Sequence, residues 1–378
     1  MSQAPKRLGF LAMRKSIFIV SAIIFVLAFS VFFLSQRNSN RYCLWQPNLR
    51  KTFNVYPGIM PGVSGNGRFY TNSYGIRADE FTRWQRYRVL TLGGSTTECL
   101  YIDQQKSWPY ILQKELNNYY VFPVWVGNIG KSGLSTKGNL LELRYLLPEY
   151  PKVDLIIALV GFNDFQIELG GIRLANERKS KEEQEDIVFA VYPGKKRRTV
   201  QELIKELLSG VRPDKSGIIE DEAGKWYLGA RGGRRNARQI LDELPDLSSA
   251  LIQYEKNLNS IIDIAKNGSS RIIFLTQPFI WHKGLTEGEQ QLLWCGFSNQ
   301  EGVYYSLDAL NRGMVAFNQK LMEVCEKRGI ECIDVERMLP KNSSVFYDDV
   351  HFNESGCELI AAILYDYLIK HPSIEGSY

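Results

Sequence analysis

Short apolar runs and longer periodic stretches take turns along most of this chain. From Arg88 onward, Val89–Leu92, Val121–Val126, Leu155–Val160, Ile272–Leu275 and Cys332–Val335 are brief and apolar, and each predicts a strand. Trp108–Leu116, Leu140–Leu147, Leu247–Ala265, Leu307–Arg328 and Glu354–Ile369 carry apolar residues at helical spacing instead. Strand and helix alternating in this way predict an α/β fold: a doubly wound parallel sheet of about five strands with helices on both faces.

Two stretches break the alternation. Residues 37–85 are rich in Asn, Gly, Pro, Tyr and Arg with little periodicity, and read as a stem or linker that lifts the main domain off a membrane. Residues from about 165 to 246 interrupt the pattern after the third strand, too long for an ordinary loop, and read as an insertion. Residues 86–378 then form the main domain, and residues 1–36 a cytoplasmic tail with a membrane anchor.

Charge supports that division. Residues 1–51 hold eight Lys or Arg and no acidic residue, so this segment is +8 and the rest of the chain −3 within a total of +5. A mildly acidic main domain offers no footprint for nucleic acid, while basic residues around an apolar run suit a membrane segment. Ile17–Leu34 is uncharged over 18 residues, a helix of about 27 Å that just spans a bilayer. The run is longer than the apolar region of a signal peptide and lacks a good cleavage site, so an uncleaved anchor through residues 17–34 is expected. Arg14 and Lys15 abut the span and favour an N-terminus inside, which puts the main domain outside the cytoplasm in a single-pass protein.

The chemistry should lie in loops that follow the strands, because open α/β sheets bind ligands at the carboxyl ends of their strands. The first strand runs into Gly93-Gly94-Ser95-Thr96-Thr97, which leaves a serine hydroxyl at a helix start among free backbone donors. The second leads to Gly130-Lys131-Ser132-Gly133, the third to Gly161-Phe162-Asn163-Asp164, and Asp348-Asp349-Val350-His351 precedes the last helix. A serine is a weak nucleophile that needs a base, and the base needs a carboxylate to fix its tautomer. Ser95, His351 and Asp348 supply these parts. The Ser95 and Gly133 amides and the Asn163 side chain supply donors for an oxyanion, each worth about 3 kcal/mol in a transition state.

Other readings of the same residues stay open. Gly-Gly-Ser also occurs in turns and phosphate-binding helix starts. Asp-Asp-x-His suits a metal corner, although only His282, His351 and His371 exist to build one, and neither a metal nor another cofactor is expected. His282 follows Trp281 and either lines a cleft or packs. Among the six cysteines, Cys325 and Cys332 make the best candidates for a disulfide.

In their order and setting these four blocks resemble the SGNH (GDSL-like) hydrolase family, including bacterial members of it. Ser95 matches the family serine, Gly133 the glycine, Asn163 the asparagine in Gly-x-Asn-Asp, and Asp348 and His351 the Asp-x-x-His of the last block. The resemblance runs from about Arg88 to Ile369 and implies a flavodoxin-like sheet and ester hydrolysis or acyl transfer. One position departs from it: the family's first block reads Gly-Asp-Ser, and this chain has Gly94 in place of the aspartate.

These observations together lead to the expectation of an extracytoplasmic acyl or acetyl esterase acting on a glycan or another small acyl ester. Aromatic residues make up 12% of the chain, and Tyr and Trp in the stem and insertion suit stacking on sugars. An O-acyltransferase with the same triad, and a non-catalytic glycan-binding or scaffold protein with an esterase-like fold, are the alternatives. Hydrolysis should rise with pH through the His351 titration, near pH 6 to 7 for an unperturbed imidazole.

Overall fold

The computed structural model describes residues 43–171 and 217–373. In chain order the strands are β1 (Arg50–Val55), β2 (Asn66–Tyr70), β3 (Tyr87–Gly93), β4 (Val124–Asn128), β5 (Leu155–Leu159), β6 (Ile218–Ala223), β7 (Gln239–Leu241), β8 (Arg271–Leu275), β9 (Val303–Tyr305) and β10 (Glu331–Ile333). The principal helices are α1 (Ser95–Glu98), α2 (Trp108–Tyr119), α3 (Thr136–Leu146), α4 (Phe162–Gln166), α5 (Tyr227–Arg235), α6 (Ser248–Asn267), α7 (Leu307–Arg328) and α8 (Glu354–Lys370).

Five strands form one all-parallel sheet in the order β10-β8-β5-β3-β4. Numbered within the sheet, this is the flavodoxin order 2-1-3-4-5, in which the winding reverses between the first strand, β3, and the third, β5. At the centre, all five residues of β5 are fully buried, as a strand covered on both faces requires. Helix α2 packs on α8, and α6 lies against both α3 and α7. Each fully buried Leu or Ile in these layers contributes about 1.5–3 kcal/mol of transfer free energy.

The predicted α/β sheet is present, with small shifts at element ends. The second strand begins at Val124 rather than Val121, because Pro123 has no N–H to give a ladder and the Asn117 amide bonds both the N–H and the C=O of Val124 at 2.9 Å. The C-terminus of α7 is closed by Gly329 in the left-handed conformation (φ +59°), which glycine adopts without cost.

Residues 43–85, expected as a stem, pack on the domain instead. Leu44, Phe53, Ile59, Met60, Phe69, Ile76 and Arg77 are all buried. β1 pairs antiparallel with β2 and parallel with β6, so this segment and the described end of the insertion share one small sheet. The apolar residues are separated by tight turns, among them Gly58, Gly62 and Gly75 at positive φ, so they leave no long period to read. The expected membrane span at residues 17–34, the tail before it and insertion residues 172–216 lie outside the described residues. Among the described residues no helix is long and apolar enough to cross a membrane.

Candidate active site

β3 and β5 flank the point where the winding of the sheet reverses, which opens a crevice at their carboxyl ends. Ser95 stands directly after β3 as the first residue of α1, and Asn163 directly after β5 in α4. His351 and Asp348 come from the loop before α8. The Ser95 hydroxyl lies 2.7 Å from His351 Nε2, and His351 Nδ1 lies 2.7 Å from Asp348 Oδ2. Two loops distant in sequence are thereby joined through one hydrogen-bonded line.

Local folding explains the carboxylate. Asp348 Oδ1 accepts from the amides of Val350 (3.0 Å) and His351 (2.8 Å), a turn that swings its other oxygen onto the imidazole. That oxygen also accepts from the indole N–H of Trp294 at 3.0 Å. Asp348 is fully buried. Burial alone pushes its carboxyl up, but the His351 charge and hydrogen bond together with the loop amides outweigh burial and hold it at about 2. For His351, burial favours the neutral ring, yet the attraction and hydrogen bond of Asp348 prevail and raise its pKa above the ordinary 6.5. The neutral ring is therefore present only at a higher pH than the unperturbed value implies.

The neighbouring Asp349 faces elsewhere. Its carboxylate accepts from the Trp281 indole (2.7 Å) and the amides of Trp294 (2.8 Å) and Cys295 (3.1 Å). The two carboxylates of Asp-Asp-x-His therefore do not converge. Among the described residues no group of three or more His, Cys, Asp or Glu is placed to hold a metal ion. His282 is tied into its own loop by the Lys341 carbonyl and the Gly284 amide, each at 2.9 Å. Cys325 and Cys332, the expected disulfide candidates, are not joined by a disulfide.

The donors are assembled by close backbone approach. Asn163 Nδ2 donates to the Leu134 carbonyl at 2.9 Å, which fixes the amide and leaves its second hydrogen. A Cβ at Gly94 would sit 2.4 Å from Asn163 Nδ2. Any side chain at Gly94 displaces the amide. Gly133 has φ +83°, a left-handed backbone on an exposed turn beside Leu134. Among the described residues, neither the Ser95 nor the Gly133 amide donates to a protein acceptor. Asp164 anchors the turn by accepting from the N–H (2.9 Å) and Oγ1 (2.5 Å) of Thr136, with its pKa raised to about 6 by burial.

Several positions that hold the site went unread in the sequence. Buried Arg77 gives its guanidinium to the carbonyls of Glu98, Cys99 (2.7 Å) and Ile102 (2.8 Å), and so closes the C-terminal end of α1. Glu98, on the same helix, accepts from the amide of Ser132 at 2.8 Å and from its hydroxyl, joining α1 to the Gly133 loop. Arg231, on α5, donates to the carbonyls of Ile59 (2.7 Å), Leu292 (3.0 Å) and Tyr347 (3.0 Å), the last adjacent to Asp348. A lone arginine in an apolar setting, Tyr74-Gly75-Ile76-Arg77-Ala78, was the available signal for the first. Trp294 had none, being 54 positions from its partner.

Residues 91–359 match the model of the GDSL-like Lipase/Acylhydrolase family. The chain belongs to that family. This GDSL-like protein is accordingly a carboxylic ester hydrolase. Its fold is similar to that of a lipolytic protein of the G-D-S-L family from Veillonella parvula, at 14% identity and a TM-score of 0.40, covering 75% of this chain and 99% of that one. It is similar also to Axe2, an acetylxylan esterase from Geobacillus stearothermophilus, at 14% identity and a TM-score of 0.40, with coverages of 77% and 96%. LAE5, an α/β hydrolase from the metagenome of Lake Arreo, Spain, stands at 14% identity, a TM-score of 0.40 and coverages of 75% and 94%. No curated protein matches the sequence.

Proposed function

We propose that this GDSL-like hydrolase removes acyl or acetyl groups from a glycan by a Ser95-His351-Asp348 triad. The observation that carries this reading is the unbroken line of two 2.7 Å hydrogen bonds from the Ser95 hydroxyl through His351 to buried Asp348. His351 Nε2 takes the Ser95 proton as the hydroxyl oxygen attacks the ester carbonyl, and Asp348 stabilises the imidazolium that forms. The amides of Ser95 and Gly133 and the free hydrogen of Asn163 receive the oxyanion. His351 then protonates the leaving sugar hydroxyl, and water releases the acyl group from Ser95 by the same path reversed.

The glycan preference is supported by aromatic side chains beside the triad. Half-exposed Trp226 packs on Tyr227 and Trp294, and the Trp294 indole bonds Asp348. The enzyme is proposed to act outside the cytoplasm, held by residues 17–34, on the strength of the uncharged run and its flanking cations. A fluorophosphonate probe tests the mechanism: it should label Ser95 in the wild type, leave Ser95→Ala unlabelled and label His351→Ala much more slowly. Undiminished ester hydrolysis by Ser95→Ala rejects it.

A further inference from the structure

Trp226 has an unusual environment. It belongs to the turn between β6 and α5, in the described end of the insertion, and its ring is 48% exposed. Yet it is held on three sides. One face stacks on the buried ring of Tyr227 with centroids 3.9 Å apart and planes at 25°. Trp294 stands against it at 5.1 Å and 89°, and the Trp226 indole N–H donates to the Tyr101 hydroxyl at 3.3 Å. Tyr101 is itself fixed by an edge contact with Phe53 at 5.3 Å.

An exposed indole pinned in one orientation gives up rotamer freedom without hiding its surface from water, which folding alone does not favour. Its position gives a reason. Trp294, the ring standing against it, is the one whose N–H bonds Asp348, so Trp226 lies one side chain removed from the triad.

The ligand class follows from the polarity around the ring. The exposed part of Trp226 offers an apolar surface. Tyr101 already accepts from Trp226, and among the described residues its own hydroxyl proton has no acceptor. The adjacent cation in the chain, Lys225, is paired with Glu222 at 2.8 Å and so is not free for an acidic ligand. A pyranose ring has the complementary pattern, an apolar C–H face edged by hydroxyl oxygens that accept. An alkyl chain would cover the indole but leave the Tyr101 proton without a partner.

We infer that Trp226 and Tyr101 form a sugar-binding subsite that stacks one neutral pyranose ring of the substrate next to the triad. This rests on the reading of the enzyme as a glycan esterase and names where the glycan lies. Full-length Ser95→Ala protein separates binding from turnover. It should be titrated with partially O-acetylated tetrasaccharides of xylose, glucose and mannose, followed by tryptophan fluorescence and calorimetry. At least one should bind and shift the fluorescence. Adding Trp226→Ala should weaken that binding about tenfold and remove most of the optical change. Tyr101→Phe, which keeps every ring and loses one hydroxyl, should weaken it about threefold.

Three results would overturn the subsite: no tetrasaccharide binds, Trp226→Ala binds as tightly as its parent, or decanoate produces the Trp226-dependent signal while the sugars do not. Failure of the esterase reading registers separately, as a wild-type enzyme whose Ser95 is not labelled by the fluorophosphonate.

Discussion

The wound sheet and the wrap around it are built by different rules. In the sheet, β3, β5 and the turn before α8 deliver Ser95, Asn163, Asp348 and His351 from the ends of regular elements. In the wrap, residues 43–85 and 217–246 contribute few regular elements, yet Arg77 and Arg231 from these segments reach under the same site. The difference separates chemistry from rigidity. The sheet brings the proposed reacting groups together because parallel strands end on one side, whereas the wrap holds the loops still by giving guanidinium donors to carbonyls that would otherwise be buried and unpaired.

A change confined to the sheet's chemistry should therefore cost activity and spare stability. Asp348→Asn keeps the size of the side chain and removes the charge that stabilises the imidazolium, so kcat should fall by about ten-thousandfold, with far-ultraviolet circular dichroism and urea midpoint close to wild type. A loss of only a few fold would mean that Asp348 is not the partner of His351 in turnover. In the wrap the reverse should hold. Arg77→Met retains length and apolar packing but strips three buried carbonyls of their donors, and should destabilise the protein by about 3 kcal/mol. Its urea midpoint should drop first, and the activity of the molecules that remain folded should fall by about tenfold as α1 loosens. Full stability in that variant would break the distinction between the two regions.

Legibility in the sequence divides along the same line. The strands of the sheet are short apolar runs and its helices are periodic, so the α/β order was readable, and the four blocks stood at the strand ends where ligands bind. Residues 43–85 misled because their strands, β1 and β2, are only six and five residues long and are separated by turns, so Phe53 and Phe69 carry too short a period to read. Gly94 departs from the family block, and the 2.4 Å approach that a Cβ there would make to Asn163 Nδ2 leaves no trace in the local pattern. Trp294, Arg77 and Arg231 act on partners 21 to 172 positions away, a relation that no local pattern carries.

Trp294 sits on the seam between the two regions, and it gives the finest test of how they combine. Its backbone N–H bonds Asp349, its indole N–H bonds the Asp348 oxygen that holds His351, and its ring meets Trp226 and Tyr227 of the wrap. Trp294→Phe keeps a ring in place and removes one donor. Asp348 then loses a hydrogen bond that favours its charged form and attracts the His351 proton more strongly. The already raised pKa of His351 should rise further, so the acid limb of kcat/KM should move to higher pH, by about half a unit to one unit. The rate on the plateau should fall only about threefold, because charge and geometry at Asp348 survive. A purely structural role for Trp294 would lower stability and activity together and leave the limb where it was. A limb displaced to lower pH would contradict the direction argued from the hydrogen bond, and with it the claim that the wrap tunes the base as well as supporting it.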